Sequence, residues 1–254
     1  MKNFVKGKIK EVRFLGKDYL KLKIKLEDFD FACFPGQFFM LSLDFFDITF
    51  PRPFSILNYK KNSIEFLIKK VGKFTNKISN IKEGEKINLL GPLGNYFKEE
   101  EFVFLVAGGY GIAPIYFYLN KYKKLKNIKL FYGGKTKKDI IFYNDLKKIL
   151  KENFYITTED GRMGEKGLIT DLLTKILKKE KPDLIYSCGP LPMFKKLNEI
   201  CQNEGIKLYV SLDPIMACGY GICLGCVVPT NKGNLCACTE GPIFESNFIK
   251  WEKL

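Results

Sequence analysis

The reactive side chains of this 254-residue chain concentrate near its C-terminal end. Cys218, Cys223 and Cys226 follow a C-x4-C-x2-C spacing, and Cys236 and Cys238 come a few residues later, so five of the eight cysteines fall in one stretch. This is the plant-type spacing for a [2Fe–2S] cluster, in which soft thiolates hold the iron. Gly219, Gly221 and Gly225 lie among the cysteines. A loop wrapping a cluster needs unusual dihedrals there and a close approach of N–H groups to sulfur. Two other chemistries compete. Structural zinc draws on paired C-x2-C knuckles or on histidine, whereas this chain has one C-x2-C, one C-x-C and no histidine. A disulfide framework suits a small secreted domain, and the opening MKNFVKGKIK has no apolar core of a signal peptide.

Other stretches could address a cofactor. Only three of the 42 basic residues are arginine, Arg13, Arg52 and Arg162, so an arginine marks a place where a planar, bidentate fork could matter. One of them opens Arg52-Pro53-Phe54-Ser55, where the fork suits a pyrophosphate and the Ser55 hydroxyl could address an aromatic ring system. Gly72 and Thr75 precede a short helical interval, a setting for phosphate or a plain N-cap at Thr75. Gly108, Gly109 and Gly111 form a glycine-rich turn between an apolar run and a helix. That turn is not the dinucleotide fingerprint, because Pro114 takes the last glycine position. Glu159-Asp160 and Cys188-Gly189-Pro190 close two later strands, where open α/β sheets bind ligands. Without histidine the chain has no Ser–His or Cys–His nucleophile, so its chemistry is expected to be carried by cofactors.

These residues need two kinds of scaffold. Residues 1–98 alternate β-branched and aromatic runs with turn signals: Val5 to Phe14, Tyr19 to Leu26, Phe38 to Leu43, Arg52 to Leu57, Ser63 to Lys70 and Lys86 to Leu90. Six short strands imply a small antiparallel barrel, with one helix at Thr75 to Ile81. Residues 99–212 repeat apolar strand and helix, with helices expected over Ile112 to Lys124, Asp139 to Leu150, Leu168 to Lys178 and Pro192 to Asn203. That rhythm implies a parallel α/β sheet covered on both faces. Residues 213–254 form a cysteine-rich appendage. The net charge of +14 raises nucleic acid. However, Lys21, Lys23 and Lys25 alternate with Leu20, Leu22, Ile24 and Leu26 as on the wet face of a strand, and no basic arm is present. A nucleic-acid partner is therefore not expected. No apolar run reaches the ~20 residues of a membrane span, and a reducing, cytoplasmic location suits free thiolates.

Arg52-Pro-Phe-Ser55, Gly72-x-x-Thr75, Gly91-Pro-Leu-Gly94, the Gly108–Pro114 turn and Cys188-Gly-Pro190 occur in the order of the ferredoxin–NADP reductase superfamily, which the chain resembles over residues 1 to 212. Ser211-Leu-Asp-Pro-Ile-Met-Ala-Cys218 and Cys238-Thr-Glu-Gly-Pro-Ile-Phe244 are similar to the electron-transfer subunit family of B-type, NAD-dependent dihydroorotate dehydrogenases. The resemblance implies a FAD-binding barrel, a pyridine-nucleotide domain and a [2Fe–2S] loop. It implies that NADH is oxidised at FAD and that electrons pass to a separate FMN-containing catalytic subunit that makes orotate, in a heterotetramer of two copies of each. Carried over residue by residue, Arg52, Pro53, Phe54, Ser55, Gly72 and Thr75 would hold FAD. Gly108, Gly109, Gly111, Glu159, Asp160, Cys188, Gly189 and Pro190 would line the NAD site. Cys218, Cys223, Cys226 and Cys238 would hold the cluster, with Cys236 as fallback. Glu159, Asp160 and the lack of an arginine near the presumed ribose argue for NADH over NADPH. The second reading is a diaphorase subunit of an NADPH–ferredoxin or hydrogenase complex, and a third is a basic zinc protein that binds nucleic acid.

Overall fold

A computed structural model describes residues 4–27, 29–43, 50–122 and 127–254. Six strands close the first barrel: β1 (Phe4–Leu15), β2 (Tyr19–Leu26), β3 (Phe38–Ser42), β4 (Arg52–Lys60), β5 (Ser63–Lys69) and β6 (Lys86–Leu93), in the order β1-β2-β5-β4-β3-β6. Its strands pair antiparallel throughout. Period-two alternation explains the closure. Leu20, Leu22, Ile24 and Leu26 of β2 are buried in one core with Phe39, Leu41, Ile56, Ile64 and Phe66, while the lysines between them face outward. Helix α1 (Lys73–Ile78) joins β5 to β6. It starts two residues earlier than the sequence suggests, with Gly72 and not Thr75 as its N-cap. Thr75 sits one turn in, and its hydroxyl accepts from the N–H groups of Val71 (2.9 Å) and Gly72 (3.0 Å).

The second half alternates β7 (Phe102–Gly108), α2 (Ile112–Lys121), β8 (Asn127–Gly134), α3 (Tyr143–Leu150), β9 (Phe154–Thr158), β10 (Glu165–Lys166), α4 (Ile169–Leu177), β11 (Leu184–Cys188), α5 (Leu191–Glu204) and β12 (Lys207–Ser211). The end of the expected first helix, residues 123 and 124, lies outside the described residues. The sheet order is β10-β9-β8-β7-β11-β12, all parallel. Both faces are apolar, as a doubly covered parallel sheet requires. Phe104 and Val106 of β7 pack with α4 and α5, and Val103, Leu105 and Ala107 pack with α2 and α3.

Two expectations give way. Asp139 to Leu150 is not one helix: a single turn over Lys137–Asp139 is separated from α3, and Phe142 takes a left-handed conformation at φ 59°. The buried Tyr132 hydroxyl explains the break. It accepts from the Ile141 N–H at 3.1 Å and lies 2.7 Å from the Asp139 carbonyl, engaging backbone groups that a continuous helix would have used. The cysteine-rich region is also more than an appendage. It holds a hairpin of β13 (Val227–Thr230) and β14 (Gly233–Cys236), and then β15 (Ile243–Glu245), which pairs antiparallel with β12 as the seventh strand of the large sheet.

The barrel and the sheet share one apolar seam, in which Tyr19, Leu57 and Leu67 pack with Ile112, Ile115 and Leu119. Across it the Tyr19 hydroxyl donates to Asp139 Oδ1 at 2.9 Å, and Lys69 Nζ stands 3.8 Å from the same oxygen. Among the described residues no helix is long and apolar enough to cross a membrane.

Candidate functional site

The strand order reverses between β7 and β11, and a crevice beyond the carboxyl ends of such a pair is where open α/β sheets take ligands. The turn after β7 and the turn after β11 meet there, backbone against backbone. A Cβ on Gly111 would lie 2.3 Å from the Cys188 carbonyl oxygen, and one on Gly108 would lie 2.6 Å from Pro190 Cδ. Gly189 leaves the same kind of room, its Cβ position being 2.4 Å from Met193 Cε. Gly109, at φ +53°, is different: nothing lies within 4 Å of its Cβ position, so it faces open space. The glycines of the sequence motif thus divide into three that let two turns touch and one that opens onto the crevice.

Cys188 stands at the rim of this contact. Burial first, then the charge of Asp213, push its thiol up to about 12, while a hydrogen bond with Ser211 pulls the other way. A thiol so placed stays neutral and is no thiolate nucleophile. Glu159 and Asp160 follow β9 and are held by their backbone, with Glu159 N–H donating to the Gly134 carbonyl at 3.1 Å. The structure corrects one argument made from sequence. Arg162 does stand at this end: its Nε is 3.8 Å from Asp160 Oδ2, and its N–H donates to Asp160 Oδ1 at 3.1 Å. Arg13 and Arg162 both line a cleft of about 760 Å³ between the barrel and the second domain.

On the barrel side, β4 begins at Arg52, whose guanidinium donates to the Phe50 carbonyl at 2.9 Å. No carboxylate pairs with it among the described residues. Pro53 pairs with Met40 and Ser55 with Phe38 across to β3, and Phe54 stacks on Phe74 of α1 at 5.9 Å. Gly72 is extended and has nothing within 4 Å of its Cβ position. A guanidinium at the start of β4 and a bare glycine at a helix start suit a pyrophosphate, so the barrel residues fit FAD.

The cysteine loop folds onto the same barrel. A Cβ on Gly219 (φ +71°) would lie 3.0 Å from Leu90 Cδ2 and 3.0 Å from Met40 Cγ, which seats the loop on β3 and β6. Gly221 (φ +79°) approaches Thr239 in the same way, at 2.9 Å. None of the eight cysteines forms a disulfide. Cys223 lies close enough to act on Cys218, and Cys226 and Cys223 close enough to act on Cys236. Among the described residues no three His, Cys, Asp or Glu side chains converge as a single ion requires. Neighbouring thiols along one loop suit a two-iron cluster, whose irons are held by thiolates. Tyr220 N–H donates to Cys218 Sγ at 3.3 Å. Burial pushes this thiol up, but the N–H groups of Cys223, Tyr220 and Ile222 and the Cys223 side chain outweigh it and hold the thiol at about 6. The donors thus fit an iron–sulfur cluster. The sequence motif selects Cys238 and nearness to Cys226 brings up Cys236; both are buried, on either side of Ala237, whose N–H donates to the Cys226 carbonyl at 2.9 Å. Ile215, Ile222 and Leu224 around the loop are 88%, 80% and 62% exposed, an apolar rim that the sequence reading did not resolve.

A barrel beside a doubly wound sheet, with a thiolate loop on the barrel's flank, defines a flavin- and nicotinamide-dependent oxidoreductase that carries an iron–sulfur region. Three family profiles match: an oxidoreductase FAD-binding domain over residues 6–97, an oxidoreductase NAD-binding domain over 105–199, and the iron-sulfur cluster binding domain of dihydroorotate dehydrogenase B over 213–250. The chain is 38% identical over 227 residues to the dihydroorotate dehydrogenase B (NAD(+)) electron transfer subunit of Clostridium acetobutylicum, covering 88% of each chain. It is 39% identical to the probable counterpart of Methanocaldococcus jannaschii, over 89% of this chain and 83% of that one. The solved structure of an NADH-dependent reduced ferredoxin-NADP oxidoreductase superposes with a TM-score of 0.86 at 30% identity, covering 98% of this chain and 91% of the other. The chain belongs to the family of dihydroorotate dehydrogenase B electron transfer subunits, within the ferredoxin–NADP reductase superfamily. The Clostridium and Methanocaldococcus relatives carry the name of the first sequence reading and not of the diaphorase alternative.

Proposed function

We propose that the chain oxidises NADH at FAD and delivers the electrons through a [2Fe–2S] cluster to a separate FMN-containing subunit that converts dihydroorotate to orotate, in an assembly of two copies of each in the cytoplasm. When bound, FAD supplies the change from a two-electron hydride to single electrons, and the cluster takes them one at a time. The chain's own residues do the placing. Arg52, Pro53, Phe54, Ser55, Gly72 and Thr75 hold the flavin along β4 and the start of α1. Gly108, Gly109, Gly111, Cys188, Gly189 and Pro190 hold the nicotinamide end over the crevice, with Glu159 and Asp160 at the ribose end. Cys188 packs against the nicotinamide as a neutral thiol. Cys218, Cys223, Cys226 and Cys238 hold the cluster. Cys236 is the second candidate for the fourth place, on the specific ground of its nearness to Cys226. The exposed rim of Ile215, Ile222 and Leu224 is the docking face for the catalytic subunit.

The observation that supports this reading is the shared scaffold: the proposed flavin residues lie on β4, and the cysteine loop rests on β3, which pairs with β4, and on β6 beyond it. Anaerobic purification tests it. The expected product is a yellow-brown protein with one FAD and about two irons per chain, reducing an artificial dye with NADH and inert toward dihydroorotate until the catalytic subunit is added. Zinc without flavin would sink the proposal.

A further inference from the structure

Asn95 follows Gly94 just beyond the end of β6, yet its side chain serves a distant segment. Its amide nitrogen donates to the carbonyls of Glu240 at 2.9 Å and Ile243 at 2.8 Å, and its amide oxygen accepts from the Ile243 N–H at 2.9 Å. Its own backbone N–H donates to the Gly241 carbonyl at 2.7 Å. Gly94, at φ +77°, lets the turns meet, since a Cβ there would lie 2.6 Å from the Gly241 oxygen and 2.4 Å from Pro242 Cδ. From the barrel side, Gln37 Nε2 donates to the Gly94 carbonyl at 3.1 Å, and Gln37 Oε1 accepts from the Phe34 N–H at 2.9 Å. An unbroken run of bonds thus leads from the barrel through Gly94 and Asn95 to the turn that follows Cys236 and Cys238.

That turn is stiff in itself. The Cys236 carbonyl accepts from the N–H groups of Thr239, Glu240 and Gly241, and the Glu240 carboxylate accepts from Cys236 N–H at 2.7 Å and the Thr239 hydroxyl at 2.7 Å. Its exit is already tied to the large sheet by the pairing of Ile243 with Ser211. Asn95 therefore adds a link that sheet pairing does not provide, from the cysteine turn to the barrel that bears the flavin residues. We infer that Asn95 is a positioning residue: it sets the place of the cysteine turn relative to the barrel, and so the separation between flavin and cluster, an inference that rests on the electron-relay reading above.

The test compares wild-type protein with Asn95→Ala and Asn95→Asp, the second keeping the acceptor for Ile243 N–H and losing both donors. In Asn95→Ala, hydrogen exchange at the Ile243 amide is expected to speed up by about tenfold or more, with strands β1 to β5 and the β13–β14 hairpin as protected as in wild type. Asn95→Asp is expected to fall between the two. Flavin and iron contents and the rate of flavin reduction by NADH stay at wild-type values, while reduction of the cluster, followed by its paramagnetic resonance signal, slows several-fold. Unchanged exchange at Ile243 overturns the inference, as does a parallel loss of both electron steps. Wild-type protein holding flavin but no iron would sink the relay reading alone, and Ile243 exchange would still report on the clasp.

Discussion

Gly111→Ala isolates the contact on which the nucleotide crevice depends. Gly111 has φ −61°, so alanine meets no torsional penalty there, and any effect is steric. The new Cβ would stand 2.3 Å from the Cys188 oxygen, 2.6 Å from its carbonyl carbon and 2.9 Å from Gly189 N, all backbone atoms that cannot swing aside. Carbon contacts are comfortable near 3.5 Å, so the turn after β11 must retreat by roughly 1 Å. Overpacking of this kind costs about 1–3 kcal/mol, and for a chain of this length each kcal/mol lowers Tm by about 2–4 °C. Cys188 moves with its turn, and a displacement of about 1 Å at a reacting centre slows the reaction by up to a hundredfold. Thermal unfolding and stopped-flow reduction of the flavin at saturating NADH measure the two effects. Gly109→Ala is the comparison: at φ +53° it pays about 1–2 kcal/mol in backbone strain, but its Cβ meets nothing within 4 Å. It is expected to raise KM for NADH by crowding the crevice while leaving the saturated rate near wild type. A Gly111→Ala protein that melts within about 1 °C of wild type and reduces its flavin at the wild-type rate would refute the close approach of the two turns.

Serine at Cys218, Cys223, Cys226 or Cys238 is expected to abolish iron binding while flavin is retained, and Cys236→Ser is expected to keep its iron; the opposite result at the last two positions would move the fourth ligand to Cys236. Asp160→Ala, by releasing Arg162 from its 3.8 Å pair, should raise kcat/KM for NADPH relative to NADH on the order of tenfold, and a wild-type enzyme that prefers NADPH would contradict the assignment of this end. Burial pushes the Cys33 and Cys201 thiols up to about 12, whereas in the unfolded chain they ionise near 8.5. The folded state therefore holds protons that the unfolded state loses, and stability should fall with rising pH between those values by about 1.4 kcal/mol per unit for each thiol. Urea unfolding across that range reads the slope, which Cys201→Ala should flatten.

What the sequence revealed depended on how repetitive the signal was. The outward lysines of β2 between buried Leu20, Leu22 and Ile24 made that strand readable to the residue, and the unbroken apolar run of β7 announced a doubly covered sheet. The glycine turn and Cys188-Gly-Pro were legible as strand-end turns because their places are fixed by the topology. The failures involve single long-range bonds. Nothing local predicts that Tyr132 will take up the backbone of Asp139 and Ile141 and split a helix. Strands β13 to β15 have only three or four residues each, too short for alternation to show, and they sit among cysteines and glycines that already had another explanation. Arg162 stands out as one of three arginines, but its tie to Asp160 is missed because it is made by a loop with no periodicity. Asn95 is one polar residue after a glycine turn, and only the fold shows that it reaches the cysteine segment.

The placement of the loop also bears on why one chain carries all three functions. The cysteine region is fastened twice, to the sheet through β15 on β12 and to the barrel through Gly219 and Asn95. Fastening to the sheet alone would let the loop follow the nucleotide domain in any motion that admits or releases NADH. The barrel link ties it instead to the strands beside the residues proposed to hold flavin, since β4, β3 and β6 are consecutive in the closed barrel. The seam between the two domains is bridged by the bond of Tyr19 to Asp139 and by apolar packing. A relay needs a constant distance between flavin and cluster but a crevice that can open to its nucleotide. Rigid support on the barrel side and side-chain contacts across the seam divide those requirements between different parts of the fold.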